Sequence, residues 1–91
     1  MANARPTPDD LCTLIEKEKT ELWPEYTLYA YVTARLDEEN ETVVMVKGYS
    51  TRDFAKQAAA KDKLYYFPLF KEPKTGAKWP GVDEVWDYIT Y

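Results

Sequence analysis

Residues 50–67 read STRDFAKQAAAKDKLYYF, and their periodicity decides the class of fold. Ser50 or Thr51 offers a hydroxyl to cap a helix start. At about 100° per residue, Phe54, Ala55, Ala58, Ala59 and Tyr65 fall on one broad apolar face, and Arg52, Lys56 and Lys63 form a narrow stripe on one flank. The spacing predicts a helix over 51–66. Alanines at 58–60 let it lie close to whatever it covers. Asp62 falls inside the apolar sector and has no place in this pattern.

Working back toward the start, residues 41–49, ETVVMVKGY, are β-branched and apolar and predict a strand. Residues 37–40, DEEN, make a polar hairpin loop. Its carboxylates lack the spacing and glycine of a calcium-binding EF-hand loop, so no metal site is assigned. Residues 25–36, EYTLYAYVTARL, alternate. Leu28, Ala30, Val32, Ala34 and Leu36 share one face, and Thr27, Tyr29, Tyr31, Thr33 and Arg35 the other, as in a strand with one face on a core. Pro24 closes off what precedes it. Thr7-Pro8-Asp9-Asp10 carries an N-cap, a first-turn proline and an early acid, so a helix is predicted over 8–21, with Leu11, Leu14 and Ile15 on its apolar side. Residues 1–6 read as a flexible arm.

Toward the other end, residues 68–81, PLFKEPKTGAKWPG, hold three prolines and two glycines and read as a loop. Val82, Val85, Trp86 and Ile89 then recur at helical spacing, predicting a short helix over 82–89 with Trp86 buried. The sum is one α+β domain over 7–91 of the order α-β-β(-β)-α. Its long helices are expected on one face of a small antiparallel sheet, covering Leu28 and Val32. Residues 68–91 form a C-terminal extension ending in the short helix.

Ninety-one residues bury only about 60–65% of their unfolded surface, so the core is thin. The chain has no His and one Cys, Cys12. That removes imidazole chemistry, an internal disulfide and a thiolate zinc site. There is no glycine-rich phosphate loop, and the acidic pairs read as helix-start and solvated-face residues. The expectation is a binding protein without catalysis, cofactor or metal. No apolar run approaches the roughly 20 residues that span a bilayer, and the first twenty residues lack a signal peptide's apolar stretch. An intracellular protein, cytoplasmic or nuclear, is expected.

Net charge is −4, unevenly spread. Residues 1–45 hold four basic and ten acidic side chains; residues 46–80 hold eight basic and three acidic; the last eleven add three acidic ones. A basic middle between acidic ends is the footprint of an electrostatic face.

Four features resemble the double-stranded-RNA-binding domain family, in its order. They are Leu14-Ile15-Glu16 in the first helix, Pro24-Glu25-Tyr26 before the first strand, Lys47-Gly48-Tyr49 before the second helix, and Thr51-Arg52-Asp53-Phe54-Ala55-Lys56-Gln57-Ala58-Ala59 within it. The likeness covers roughly residues 8–67. Asp53 stands where the family signature has a second lysine, and the family's Gly-Pro-x-His loop has no counterpart. The resemblance implies duplex-RNA binding by shape and phosphate contact, through Arg52 and Lys56, with Lys63, Lys47 and Glu16 supporting.

A second reading uses the aromatics. Eight Tyr, three Trp and three Phe exceed what so thin a core hides, and exposed aromatics anchor interfaces. On this reading the chain is a small acidic protein-interaction module, an adaptor, inhibitor or dimerisation domain, with Tyr29, Tyr31, Tyr66, Phe70 and Trp79 at its interface. Its partner is then a protein, a second copy included.

Overall fold

The computed structural model describes residues 5–90. Helix α1 spans Pro8–Leu22; the Thr7 hydroxyl accepts from the Asp10 amide at 3.1 Å, with Pro8 opening the first turn. Strands β1 (Thr27–Asp37) and β2 (Thr42–Tyr49) form an antiparallel hairpin. The Asp37 carboxylate closes its turn by accepting from the Asn40 amide and side chain at 3.2 and 2.8 Å. Helix α2 (Arg52–Asp62) is capped by Thr51, which accepts from the Phe54 amide. Strands β3 (Tyr65–Lys71) and β4 (Lys78–Trp79) and helix α3 (Val82–Thr90) complete the chain. The four antiparallel strands make one sheet in the order β2-β1-β3-β4. The α+β class and the helix–hairpin–helix order are as expected.

Helix α2 stops four residues before its expected end. Lys63 turns left-handed at φ 56°, and the Leu64 amide donates to the Ala59 carbonyl at 2.8 Å. Residues 65–70, YYFPLF, then extend, as aromatic and branched residues prefer on a pleated surface. Pro68 is tolerated because β4 pairs only with Phe70 and Lys71, leaving no strand neighbour on that side. Asp62, unplaced in the helical pattern, is the exposed last residue of α2. The region read as a loop therefore holds sheet at both ends, over 68–71 and 78–79. The Glu72 side chain shapes its turn by accepting from the Lys74 and Thr75 amides, with Gly76 at φ 74°. Residues 68–91, expected as an extension, include the second part of β3 and all of β4.

The layering also differs from the expectation. Val32 and Thr33 point to opposite faces of β1 and lie opposite Phe67 and Tyr66 of β3. On the Val32 face, Ala34, Val43 and Phe67 pack with Val85 and Ile89 of α3. On the other face, Tyr66, Tyr31 and Tyr49 pack with Ala55 and Ala59 of α2. Thus α2 covers the tyrosine face, and the short helix α3 lies on the Val32 face, against β2. Helix α1 packs along β3 and serves both cores, Leu11 and Ile15 in one and Cys12 in the other. The tyrosine face is buried because three rings offer more apolar area than they lose in hydroxyl solvation. Leu28, expected in the core, is 48% exposed beside an irregularity in the β1–β3 register. Trp86 is half-buried, and Val85 and Ile89 carry the α3 core contact.

The expected arm over 1–6 falls partly outside the described residues. Within them, Arg5 pairs with Glu38 at 2.6 Å.

Candidate functional site

Helix α1 has two flanks with opposite electrostatics. One carries Asp9, Thr13 and Glu16 and faces α2. Arg52 Nη1 donates to Glu16 Oε1 at 2.6 Å, and Nη2 to Thr13 Oγ1 at 3.1 Å. Lys56 Nζ lies 3.5 Å from Asp9 Oδ2. Beneath them the Tyr66 hydroxyl donates to Asp9, and the Arg52 guanidinium lies 6.0 Å from the Tyr66 ring centroid. Cys12 donates to Glu16 at 3.3 Å. Burial, then the Asp9 carboxylate, pushes the Tyr66 hydroxyl up to about 12. Burial, then the bond to Glu16, pushes the Cys12 thiol up to about 12. A thiol so held is protonated and unreactive at neutral pH. The Tyr66 hydroxyl and then Lys56 hold the Asp9 carboxyl below its usual range.

The residues grouped by the RNA reading are therefore distributed as follows. Arg52 and Glu16 are each other's partner, and Lys56 faces Asp9. Lys63 caps the far end of α2, about 16 Å from Arg52 at 1.5 Å rise per residue. Lys47 lies over the Tyr49 ring at 5.5 Å. The basic stripe of α2 thus carries its own counter-charges, supplied by α1. Of the residues grouped by the interface reading, Tyr66, Phe70 and Trp79 are buried and Tyr31 is half-buried. Tyr29 is 55% exposed, with the Lys71 and Lys78 ammoniums 5.9 and 5.0 Å from its ring.

The other flank of α1 carries Leu14 and Glu18, one turn apart. Facing it, α3 presents Glu84, Asp87 and Tyr88, also at helical i, i+3, i+4 spacing. Between them runs a groove of about 490 Å³, with Trp23 and Trp79 completing its lining. The two indoles are braced, their ring centroids 4.7 Å apart, and Trp79 stacks in turn on Phe70 at 6.2 Å. Trp79 is 7% exposed and so gives the groove a fixed floor. Leu14 is exposed along one wall.

Three carboxylates, Glu18, Glu84 and Asp87, line this groove, and among the described residues no Lys or Arg does. None of the three has an ion-pair partner among the described residues. Desolvation, reinforced by Glu18 and Asp87, raises the Glu84 carboxyl above its usual range. The carboxylates do not converge as metal ligands; no such group of acidic, His or Cys side chains exists among the described residues.

Sequence reasoning missed this groove as a unit. The sequence points to Trp79 as an interface residue, to the acidic residues of the last helix as a solvated face and to Leu14 on the apolar side of the first helix. Only the fold brings α1, β4 and α3 to one place. Among the described residues no helix is long and apolar enough to cross a membrane. No protein-family profile, curated protein or solved structure matches this chain.

Proposed function

We propose that this chain is a non-enzymatic protein-interaction module whose docking surface is the groove between α1 and α3. One observation carries the reading: a groove of about 490 Å³ walled by Leu14, Trp23, Trp79 and Tyr88. Aromatic side chains on a rigid support are the usual anchors of protein interfaces. The groove has the size that accepts one or two partner side chains.

The rival, duplex-RNA binding through Arg52 and Lys56, has less support. Both cations face α1 carboxylates, so a phosphate would have to compete with Glu16 and Asp9 for them. Counterion release, the main source of affinity for a nucleic-acid backbone, is small where the cations are already neutralised.

The test is a selection of displayed random peptides on the wild-type chain, followed by titration against Leu14→Ser and Tyr88→Ala variants. Duplex RNA is titrated alongside at two salt concentrations. Enriched peptides should bind wild type and lose about tenfold in affinity, some 1.4 kcal/mol, on either variant. Saturable duplex-RNA binding that weakens steeply with salt, together with no groove-dependent peptide, overturns the proposal in favour of RNA.

A further inference from the structure

The groove's charge specifies its occupant more narrowly than its shape does. Its lining brings two indoles and a phenol ring together with three carboxylates, and holds no Lys or Arg among the described residues. We propose that it takes a basic segment of a partner protein. One Lys or Arg side chain lies along Trp23 and Tyr88, above the buried Trp79, with its cationic head among Glu18, Glu84 and Asp87, and an apolar neighbour packs on Leu14. This rests on the interaction reading above and names the partner's chemistry.

Three observations converge on that occupant. First, a Lys or Arg side chain is amphipathic along its length: an apolar stem suits an aromatic wall and a charged tip suits a carboxylate rim. Second, a cation over an indole or phenol face gains from the ring quadrupole, most where water is displaced. A cation over a phenol ring recurs within this fold, where the Lys71 and Lys78 ammoniums lie 5.9 and 5.0 Å from the Tyr29 centroid. Third, like charges are held together without compensation. On its other flank α1 places Glu16 and Asp9 opposite Arg52 and Lys56; here Glu18 and Glu84 repel across the groove. An incoming cation relieves that repulsion, so the site binds a positive tip better than a neutral one. A bare metal ion fits less well, since the carboxylates do not converge on one point. An acidic segment is repelled by all three.

The experiment uses the intact chain and one enriched peptide in three versions, with Lys, Gln or Glu at its charged positions. Fluorescence-polarisation titrations are run against wild type and against a variant carrying Glu84→Gln and Asp87→Asn together, at low and high salt. Circular dichroism confirms that the carboxamide variant is folded. The Lys version should bind wild type about tenfold more tightly than the Gln version, and the Glu version more weakly still. That advantage should fall to about twofold in the carboxamide variant and shrink with salt. Lowering pH should reduce it as well, as Glu84 takes up its proton. Groove-dependent binding that ignores peptide charge overturns the cation assignment and leaves the interaction module standing. Absence of any groove-dependent peptide removes both.

Discussion

The two flanks of α1 make opposite use of the same side-chain chemistry. Toward α2, Asp9 and Glu16 meet Lys56 and Arg52 over Tyr66 and Cys12. Toward α3, Glu18 meets Glu84 and Asp87 over Trp23, Trp79 and Tyr88, with no cation in the lining among the described residues. The first is a seam in which the charges are paired, the ring is buried and the thiol is shielded, and only a smaller hollow of about 200 Å³ lies beside Asp9, Lys56 and Tyr66. The second is open, its charges unpaired, with Trp79 buried as a fixed base beneath the half-buried Trp23 and Tyr88. A fold that places counter-charges with care on one flank and omits them on the other is storing repulsion where a ligand can relieve it. Local inconsistency with the rest of the fold is where function is expected.

The largest contrast should appear when each flank loses its tyrosine ring. Tyr66 is 1% exposed and packs with Cys12, Ala55 and Ala59. Tyr66→Ala should cost about 3–5 kcal/mol, and Tyr88→Ala, on a half-buried wall, about 1 kcal/mol. Chemical-denaturant melts of both variants measure the difference. Equal costs would mean that the groove wall is as structural as the seam.

Alkaline pH should open the seam before the groove. Cys12 and Tyr66 both lie near 12 in the fold, above ordinary values of 9 and 10. Folding favours their protonated forms, so their contribution is complete below pH 9 and is lost as pH rises toward 12. The slope approaches about 1.4 kcal/mol per pH unit for each group. Cys12→Ala should flatten the part that begins at pH 9 and leave the Tyr66 part. Melts from pH 8 to 11 test this, and an unchanged slope in Cys12→Ala would remove the thiol from the seam's energetics.

How much of this was legible in the chain depends on range. Thr7-Pro8-Asp9-Asp10, the alternation of 25–36 and the stripe at Val85 and Ile89 are local signals, and each produced the expected element. The end of α2 was not legible, because the left-handed residue is Lys63 and not a glycine, and helical periodicity ran on into Tyr65. The identity of Arg52 and Lys56 as a stripe was legible, but their partners Glu16 and Asp9 lie 36 and 47 residues away, and no local pattern records that. Tyr31 of β1 reads as a solvent-face residue because its hydroxyl counts as polar in a binary pattern, whereas Tyr29 on the same strand is exposed as expected. The groove needed three elements from opposite ends of the chain.

The seam's ion pair should contribute modestly. Both side chains are 36% exposed, and solvent screens pairs of this kind. A double-mutant cycle with Glu16→Gln and Arg52→Gln should give a coupling of about 0.5–1 kcal/mol. Zero coupling would make the seam a matter of apolar packing alone.

The smallest expected effect discriminates best, because its sign reverses between flanks. Glu16→Gln removes a carboxylate that faces Arg52 and should destabilise the fold at neutral pH. Glu84→Gln makes the same chemical change opposite Glu18 and Asp87 and should stabilise it. The Glu84 carboxyl lies above its usual range in the fold, so folding favours its protonated form. Its contribution is present below the unfolded value and is lost as pH rises through the folded one. Wild type is thereby less stable at neutral pH than the variant, by under about 0.5 kcal/mol because Glu84 is exposed and solvent screens the repulsion. In acid, where Glu84 is protonated in both states, the two should coincide. Paired melts at pH 3 and pH 7 test this, with the cationic peptide then added at pH 7. Wild type should gain more from the peptide than Glu84→Gln does, since bound ligand stabilises in proportion to its affinity. A carboxamide that stabilises the free protein while weakening its complex would mark Glu84 as kept for binding and not for folding. Destabilisation by Glu84→Gln at pH 7 would mean that the groove's charges are already satisfied, and the contrast between the flanks would fail.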